Sequence, residues 1–357
     1  MKRGPCLVSG GAGFIGCAAS AGLVSRFQRV VVIDNLHKQI HPKRVRPPAL
    51  HPDVELCVAD ITDARSWKQL LLDLRPTTVI HLAAETGTGQ SLTEATSHSL
   101  TNVGGTAVML DALATSRVIP ERMILASSRA VYGEGAWRSL VDGTIHYPGQ
   151  RTRPRLANAE WDFPHLEPLP ARAGKTWPSP VSIYGATKLA QEHMMSTWAT
   201  AFGSEIAILR LQNVYGPGQS LSNPYTGIVP LFCCLARSGE AIPLYEDGKM
   251  QRDFILIDDV VDAILRAVDV PRVPRQPLDV GTGGQMQIAD LARNVATYYR
   301  APVPRICGDY RYGDVRHASC TVEDTKAQLG WAPRYRLEEG LARLFPWIEQ
   351  ELTRARQ

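Results

Sequence analysis

The sequence predicts an α/β fold, a doubly wound parallel sheet carrying a smaller α/β lobe. Three observations predict it. Short, uninterrupted apolar runs recur as far as Leu211 with helix-length segments between them, the pattern of strands buried on both faces. The first run opens into Gly10-x-x-Gly13-x-x-Gly16 ahead of a helical segment. From Val214 onward turns become denser and the alternation weakens, which suits a separate lobe completed by the C-terminal third.

The elements follow in order. Cys6-Leu7-Val8 is the first strand, and the helix after the glycines reaches about Phe27. Val30-Val31-Val32-Ile33 is a second buried strand ending at Asp34, and Val54 to Val58 is a third ending at Asp60. A helix covers Ala64–Leu74. Thr78 to Leu82 and Arg122 to Ala126 are the fourth and fifth strands, with a helix over Leu100–Ala114 between them, and Ile206 to Leu211 is the sixth. The stretch 135–180 differs: it is rich in Pro, Arg and Trp without a period, so it is expected to be a long irregular excursion serving as a lid or partner surface, or disordered. It has no cysteine, and His146 and His165 lie far apart, so no metal site is expected there. Leu337–Arg354 reads as a closing amphipathic helix. On this pattern residues 1–212 and 253–275 form a nucleotide domain interrupted by the excursion, and 213–252 with 276–357 form the lobe.

Composition narrows the function classes. At 357 residues the chain is long enough for two domains, and 44% hydrophobic with 21% charged residues can build a large core. The formal charge of +4 is small and spread out, which argues against nucleic-acid binding. The densest basic stretch, His37–Arg46, reads as a solvated loop. No apolar run is long enough for a membrane span, and the apolar run near the N-terminus breaks too early, at Ser9-Gly10-Gly11, for a signal peptide. Seven cysteines without a CxxC pair suit a reducing compartment, and a cytoplasmic location is expected.

The glycine pattern has a chemical meaning in this setting. Glycines between a strand and a helix permit a tight turn, close approach of a pyrophosphate and packing of the helix on the sheet, while the helix N-terminus favours the anion. Asp34 ends the next strand, 18 residues after Gly16, where a carboxylate can accept both ribose hydroxyls of NAD and repel the 2′-phosphate of NADP. Lys38 and Lys43 could soften that preference. Asp60-Ile61 suits the adenine edge, with a capping aspartate as the other reading of Asp60.

A second constellation carries the reaction. Tyr184 and Lys188 stand four apart on a predicted helix and so share a face. An ammonium beside a phenol favours the phenolate, so Tyr184 can act as a base near neutral pH. Ser127-Ser128 ends the fifth strand, at the carboxyl edge where such sheets place their sites, and a hydroxyl there can share a proton with the tyrosine.

These motifs together identify a resemblance. SGGAGFIG at Ser9–Gly16, Asp34-Asn35, HLAA at His81–Ala84, SSRAVYG at Ser127–Gly133, YGATK at Tyr184–Lys188, LRLQNVYGPG at Leu209–Gly218, RDFILIDDV at Arg252–Val260 and RYGDVRH at Arg311–His317 resemble the extended short-chain dehydrogenase/reductases of the nucleotide-sugar epimerase/dehydratase group. The resemblance spans nearly the whole chain and implies a Rossmann sheet with tightly bound NAD. It implies NAD contacts from Gly10, Gly13, Phe14, Ile15, Gly16, Asp34, Asn35, Asp60, Ile61, Leu82, Ala83, Ala84, Asn102, Ser127, Tyr184 and Lys188. Ser128, Tyr184 and Lys188 match the catalytic triplet, and Asn102 the asparagine that supports the lysine side of the site. On the substrate side it implies Thr86, Thr88, Gln90, Ser128, Arg129, Asn213, Arg252, Arg311 and Asp314, with Arg252 and Arg311 forking a diphosphate and Asp314 on the nucleoside ribose.

The reaction class follows from one difference. Members that eliminate water carry Asp-Glu directly after the catalytic hydroxyl residue, and here the pair is Arg129-Ala130. A C4 epimerisation through a transient 4-keto sugar needs only the triplet and NAD. The strings at Ala84–Ser91, Ser127–Gly135 and Gln219–Ile228 are most similar to the subgroup of dTDP-L-rhamnose 4-epimerases, which yield dTDP-6-deoxy-L-talose. A UDP-sugar 4-epimerase, a 4-keto-sugar reductase with exchangeable NAD(P)H and a non-catalytic NAD-sensing protein are the alternatives. The resemblance also implies a homodimer formed through Thr101–Ala114 and Thr187–Ala201.

Overall fold

A computed structural model describes residues 1–221 and 227–354. Seven strands form one sheet: β1 (Cys6–Ser9), β2 (Val30–Asp34), β3 (Glu55–Val58), β4 (Thr78–His81), β5 (Arg122–Ser128), β6 (Glu205–Leu211) and β7 (Leu278–Val280). Their order is β7-β6-β5-β4-β1-β2-β3 and every neighbouring pair is parallel. The order reverses between β1 and β4, which opens a crevice at the carboxyl edge.

The sheet is two-sided because its strands are. Within β5, Ile124 faces a core shared with helices α1 (Phe14–Arg26) and α5 (Ile257–Asp269), through Leu23, Val260 and Ile264. Met123 and Leu125 face the other core, which holds Trp67 and Leu71 of α2 (Ala64–Leu74), Met109 and Leu113 of α3 (Gly105–Thr115) and Met195 of α4 (Ile183–Phe202). Local chemistry sets the helix ends. The Asp63 carboxylate accepts from the Arg65 N–H to start α2, and the Ser182 hydroxyl accepts from the Gly185 N–H to start α4. Helix α4 stops at Gly203, in the left-handed region at φ 75°. Ahead of α3 the chain is already helical from Ala95, with a π-helical segment over Ser99–Gly104 that carries Asn102.

The lobe has its own core, in which Phe232, Cys233, Leu291 and Val295 pack against Leu341, Leu344 and Ile348 of the closing helix α6 (Leu337–Arg354). Its boundary differs from the expected one. Strand β7 lies inside the segment 276–357 expected for the lobe, yet it pairs with β6 in the large sheet. Leu329 and Trp331 likewise pack in the α1–α5 core. Three residues are too short a run to show periodicity, and β7 is bound by pairing at the sheet's open edge.

The excursion at 135–180 is also more ordered than expected. It contains a three-stranded antiparallel sheet of Trp137–Ser139, Ile145–His146 and Leu166–Pro168, and a short helix, Arg153–Ala157. Trp137 is 1% exposed and packs edge-on against Phe163 and His317. Arg151 is equally buried: it ion-pairs with Glu134 at 3.3 Å and with Glu246 of the lobe at 2.8 Å. Arg316 extends this network to Glu246, Asp247 and Asp162. The segment is ordered by the lobe it lies on, which is why it carries no period of its own.

Candidate active site

A cleft of about 1730 Å³ runs from the glycine loop across the ends of β4 and β5 to the lobe. Gly10 sits at φ +69°, and a Cβ there would lie 2.5 Å from the Ala83 backbone, so β1 and β4 approach through that glycine. A Cβ on Gly16 would meet the Gly11 carbonyl oxygen at 2.4 Å, so α1 rests directly on the loop. At Gly13 the nearest atom is the Gly10 carbonyl oxygen at 3.3 Å. Gly10, Gly13, Phe14, Ile15, Gly16, Asp34, Asn35, Ile61, Leu82, Ala83 and Ala84 all line the cleft.

This cradle fits a dinucleotide. The Asp34 carboxylate accepts from the Ala12 N–H at 3.0 Å and the Leu36 N–H at 2.9 Å, which fixes it at the rim with lone pairs to spare for ribose hydroxyls. Lys38 and Lys43 are exposed and lie outside the cleft lining, so no ammonium there offsets the Asp34 charge. Asp60 serves the local turn, in keeping with the second of its two readings. Its carboxylate accepts from the Thr62 N–H and hydroxyl at 2.9 and 2.7 Å and from Asn35 at 2.8 Å, and of the pair only Ile61 reaches the cleft.

Ser128, Arg129 and Tyr184 face the same cleft. Burial raises the Tyr184 phenol, while a hydrogen bond from Ser128 and the nearby Arg129 guanidinium pull it down. Lys188 makes its hydrogen bond within α4. It is 2% exposed, and its Nζ donates to Gln191 Oε1, one turn further along α4. Burial lowers it to about 7 against the pull of Glu192. Glu192 itself is held by Arg210 at 2.7 Å, so the lysine turns to the neighbouring amide.

Two further expected contacts are internal. The Ser127 hydroxyl donates to Glu192 at 2.5 Å, and Gln90 is bonded to Glu94 at 2.8 Å; neither lines the cleft. Asn102 is fully buried and acts as a brace. It donates to Thr187 Oγ1 at 2.9 Å and to the Glu85 carbonyl at 3.0 Å, and accepts from the Glu85 N–H at 2.7 Å. It joins the loop after β4 to α4.

The far half of the cleft is cationic. Thr86, Thr88, Asn213, Arg252, Arg311 and Asp314 line it together. Arg129 Nε donates to Asn213 Oδ1 at 2.9 Å. Arg252 is anchored to the Val315 carbonyl at 2.8 Å, and burial lowers it while Asp314 supports its charge. Arg311 lies 5.0 Å over the Tyr245 ring. The guanidinium groups of Arg129, Arg252 and Arg311 on one stretch of the cleft suit a diphosphate. Sequence reasoning missed Gln212, Met250, Tyr312 and Trp347, which also line it. Gln212 and Tyr312 sit beside assigned residues, but Trp347 arrives on α6 from the chain's end and gave no local signal. Of the Gln219–Ile228 string, residues 222–226 lie outside the described residues.

Comparison with known proteins gives the same answer as this geometry. A dTDP-L-rhamnose 4-epimerase of Burkholderia thailandensis is 56% identical over 348 residues, covering 98% of this chain and 96% of its own. A UDP-glucose 4-epimerase of Mycolicibacterium smegmatis is 28% identical, covering 94% of this chain and 96% of its own. Among solved structures, a Thermotoga maritima UDP-glucose 4-epimerase with UDP-glucose superposes with a TM-score of 0.80 at 26% identity, covering 98% and 99% of the two chains. A Thermus thermophilus UDP-glucose 4-epimerase complexed with NAD gives 0.77 at 25% identity, covering 97% and 99%. The model of one family matches residues 6–154 and 162–281, and the chain belongs to it: the NAD-dependent epimerase/dehydratase family.

Proposed function

We propose that this protein inverts C4 of dTDP-L-rhamnose to give dTDP-6-deoxy-L-talose, through a transient 4-keto sugar. The observation that carries the reading is the hydroxyl pair Ser128–Tyr184 in one cleft with the glycine cradle and with Arg129, Arg252 and Arg311, with Arg129-Ala130 where an eliminating enzyme needs a carboxyl pair. The similarity to the Burkholderia enzyme supports the choice of sugar.

Tyr184 is the base that takes the proton of the sugar 4-hydroxyl and later returns it, with Ser128 sharing that proton. The glycine cradle would hold NAD, which would supply a reversible hydride acceptor for C4. Arg252 and Arg311 hold the diphosphate while the sugar turns about it to present its other face, and Asn213 and Asp314 bear on the diphosphate and the nucleoside ribose. Gly10, Gly13, Phe14, Ile15, Gly16, Asp34, Asn35, Ile61 and Leu82–Ala84 hold the cofactor, which stays bound because no net oxidation occurs. A nucleotide domain that takes in β7, a lobe that completes the cleft, a homodimer through Thr101–Ala114 and Thr187–Ala201, and a cytoplasmic location complete the reading. Among the described residues no helix is long and apolar enough to cross a membrane.

The test is to incubate the purified enzyme, without added cofactor, with dTDP-, UDP- and GDP-sugars and follow the products by NMR. The expected result is an equilibrium mixture of dTDP-L-rhamnose and dTDP-6-deoxy-L-talose with no accumulation of NADH. Stoichiometric NADH, or turnover confined to UDP-sugars, would overturn the proposal.

A further inference from the structure

Behind Tyr184 lies a buried polar network that the catalytic roles above leave unexplained. Lys188 Nζ bonds Gln191 Oε1. Gln191 Nε2 lies 3.0 Å from His81 Nε2 and 2.9 Å from Thr106 Oγ1. His81 Nδ1 lies 2.5 Å from Ser9 Oγ, and the Thr106 hydroxyl donates to the Asn102 carbonyl at 2.6 Å. Ser9, His81, Asn102, Thr106 and Gln191 are all 0% exposed.

The directions of these bonds follow from chemistry. An ammonium only donates, so the Gln191 oxygen faces Lys188 and its NH2 group faces His81 and Thr106. Thr106 gives its proton to Asn102, so its oxygen accepts from Gln191. His81 Nε2, which also lies 2.9 Å from Thr106 Oγ1, receives the second Gln191 N–H, so the imidazole proton is assigned to Nδ1, toward Ser9. Burial and the Lys188 charge push His81 down to about 3, so its imidazole is neutral and can accept. Ser9 ends β1 directly before Gly10 of the cofactor loop.

We propose that Gln191 is a positioning residue of this site: its amide oxygen anchors the Lys188 ammonium, and its NH2 group ties that lysine through His81 to the β1 end of the cofactor loop. The charged neighbours do not replace it. Glu192 of α4 favours the ammonium, but its carboxylate is shared by Arg210 of β6 at 2.7 and 2.9 Å and by Ser127 of β5. Arg129, after β5, acts on Tyr184. His98, from the helical segment before α3, stands 6.3 Å from the Tyr184 ring, and burial lowers it.

The kinetic part of the test rests on the proposed epimerase reading; the spectroscopic part does not. Lysine labelled with ¹³C at Cε is incorporated into NAD-loaded enzyme, and the Lys188 resonance, identified by its loss in Lys188→Met, is titrated. Gln191→Leu removes the acceptor and is expected to lower the Lys188 midpoint by about one pH unit or more; Gln191→Glu supplies a carboxylate and is expected to raise it by about as much. The alkaline limb of kcat against pH moves the same way in each variant, with KM for the nucleotide sugar changing less than kcat. A merely structural role predicts no opposite movement. Midpoints unmoved in both variants overturn the proposal, and the isosteric Gln191→Glu decides alone if Gln191→Leu does not fold. Shifted midpoints in an enzyme that turns over no dTDP-sugar uphold the positioning role and reject the epimerase reading instead.

Discussion

In the proposed reading Tyr184 is the base, and its phenol is raised by burial and lowered first by the Ser128 hydroxyl and then by the Arg129 guanidinium. Arg129 follows Ser128 into the cleft, and its guanidinium lowers a phenol that burial raises. Replacing it with the uncharged Arg129→Met is expected to raise the phenol and shift the acid limb of kcat toward higher pH, because a phenolate without its cation forms less readily. A pH–rate series on the two enzymes reads this directly. Lys188 gives a prediction for stability. Its proton affinity in the fold is lowered to about 7, against about 10.4 for an ordinary lysine. Between those values the unfolded chain binds the extra proton, so this group's penalty is full below about pH 7 and fades as pH rises toward 10. Lys188→Met is therefore expected to melt higher than the parent near pH 6, with the difference shrinking above pH 9 in NAD-free protein. Residues whose role depends on a nearby backbone motif, such as Ser128, Tyr184 and Asp34, were legible because that motif is local. Ser127 was not, although period two already places it with Met123 and Leu125 on the face turned to α4, where Glu192 takes its hydroxyl.

At the scale of elements, legibility tracked local periodicity. Helix α2 and the closing helix lie where the apolar spacing put them, over Ala64–Leu74 and Leu337–Arg354. The excursion was read as irregular because its order comes from partners distant in sequence. Arg151, between Glu134 and the lobe's Glu246, ties it to the lobe. Arg151→Met would leave the buried Glu134 carboxylate without its ion-pair partner, while Glu246 keeps Arg316 at 2.9 Å. The expected loss is about 3–5 kcal/mol, the usual cost of removing one partner from a buried ion pair. Urea unfolding of the variant measures it, and a loss near zero would show that the segment is held by Trp137 packing instead.

At the scale of the whole molecule, the loops of the seven-stranded sheet and the lobe line one cleft. The sequence by itself determined the parallel sheet, the glycine cradle, the Ser-Tyr pair and the cationic residues, because each is written in a short stretch whose backbone geometry is local. Only the tertiary structure decided that β7 returns to the sheet from within the lobe's segment. It also decided that Gln191, the partner of Lys188, reaches His81 across 110 residues of chain, and that Trp347 of the last helix reaches the cleft. The physical reason is the same in each case: burial forces a strand edge or a polar group to find a partner, and which partner is near is set by packing between elements, not by neighbours along the chain.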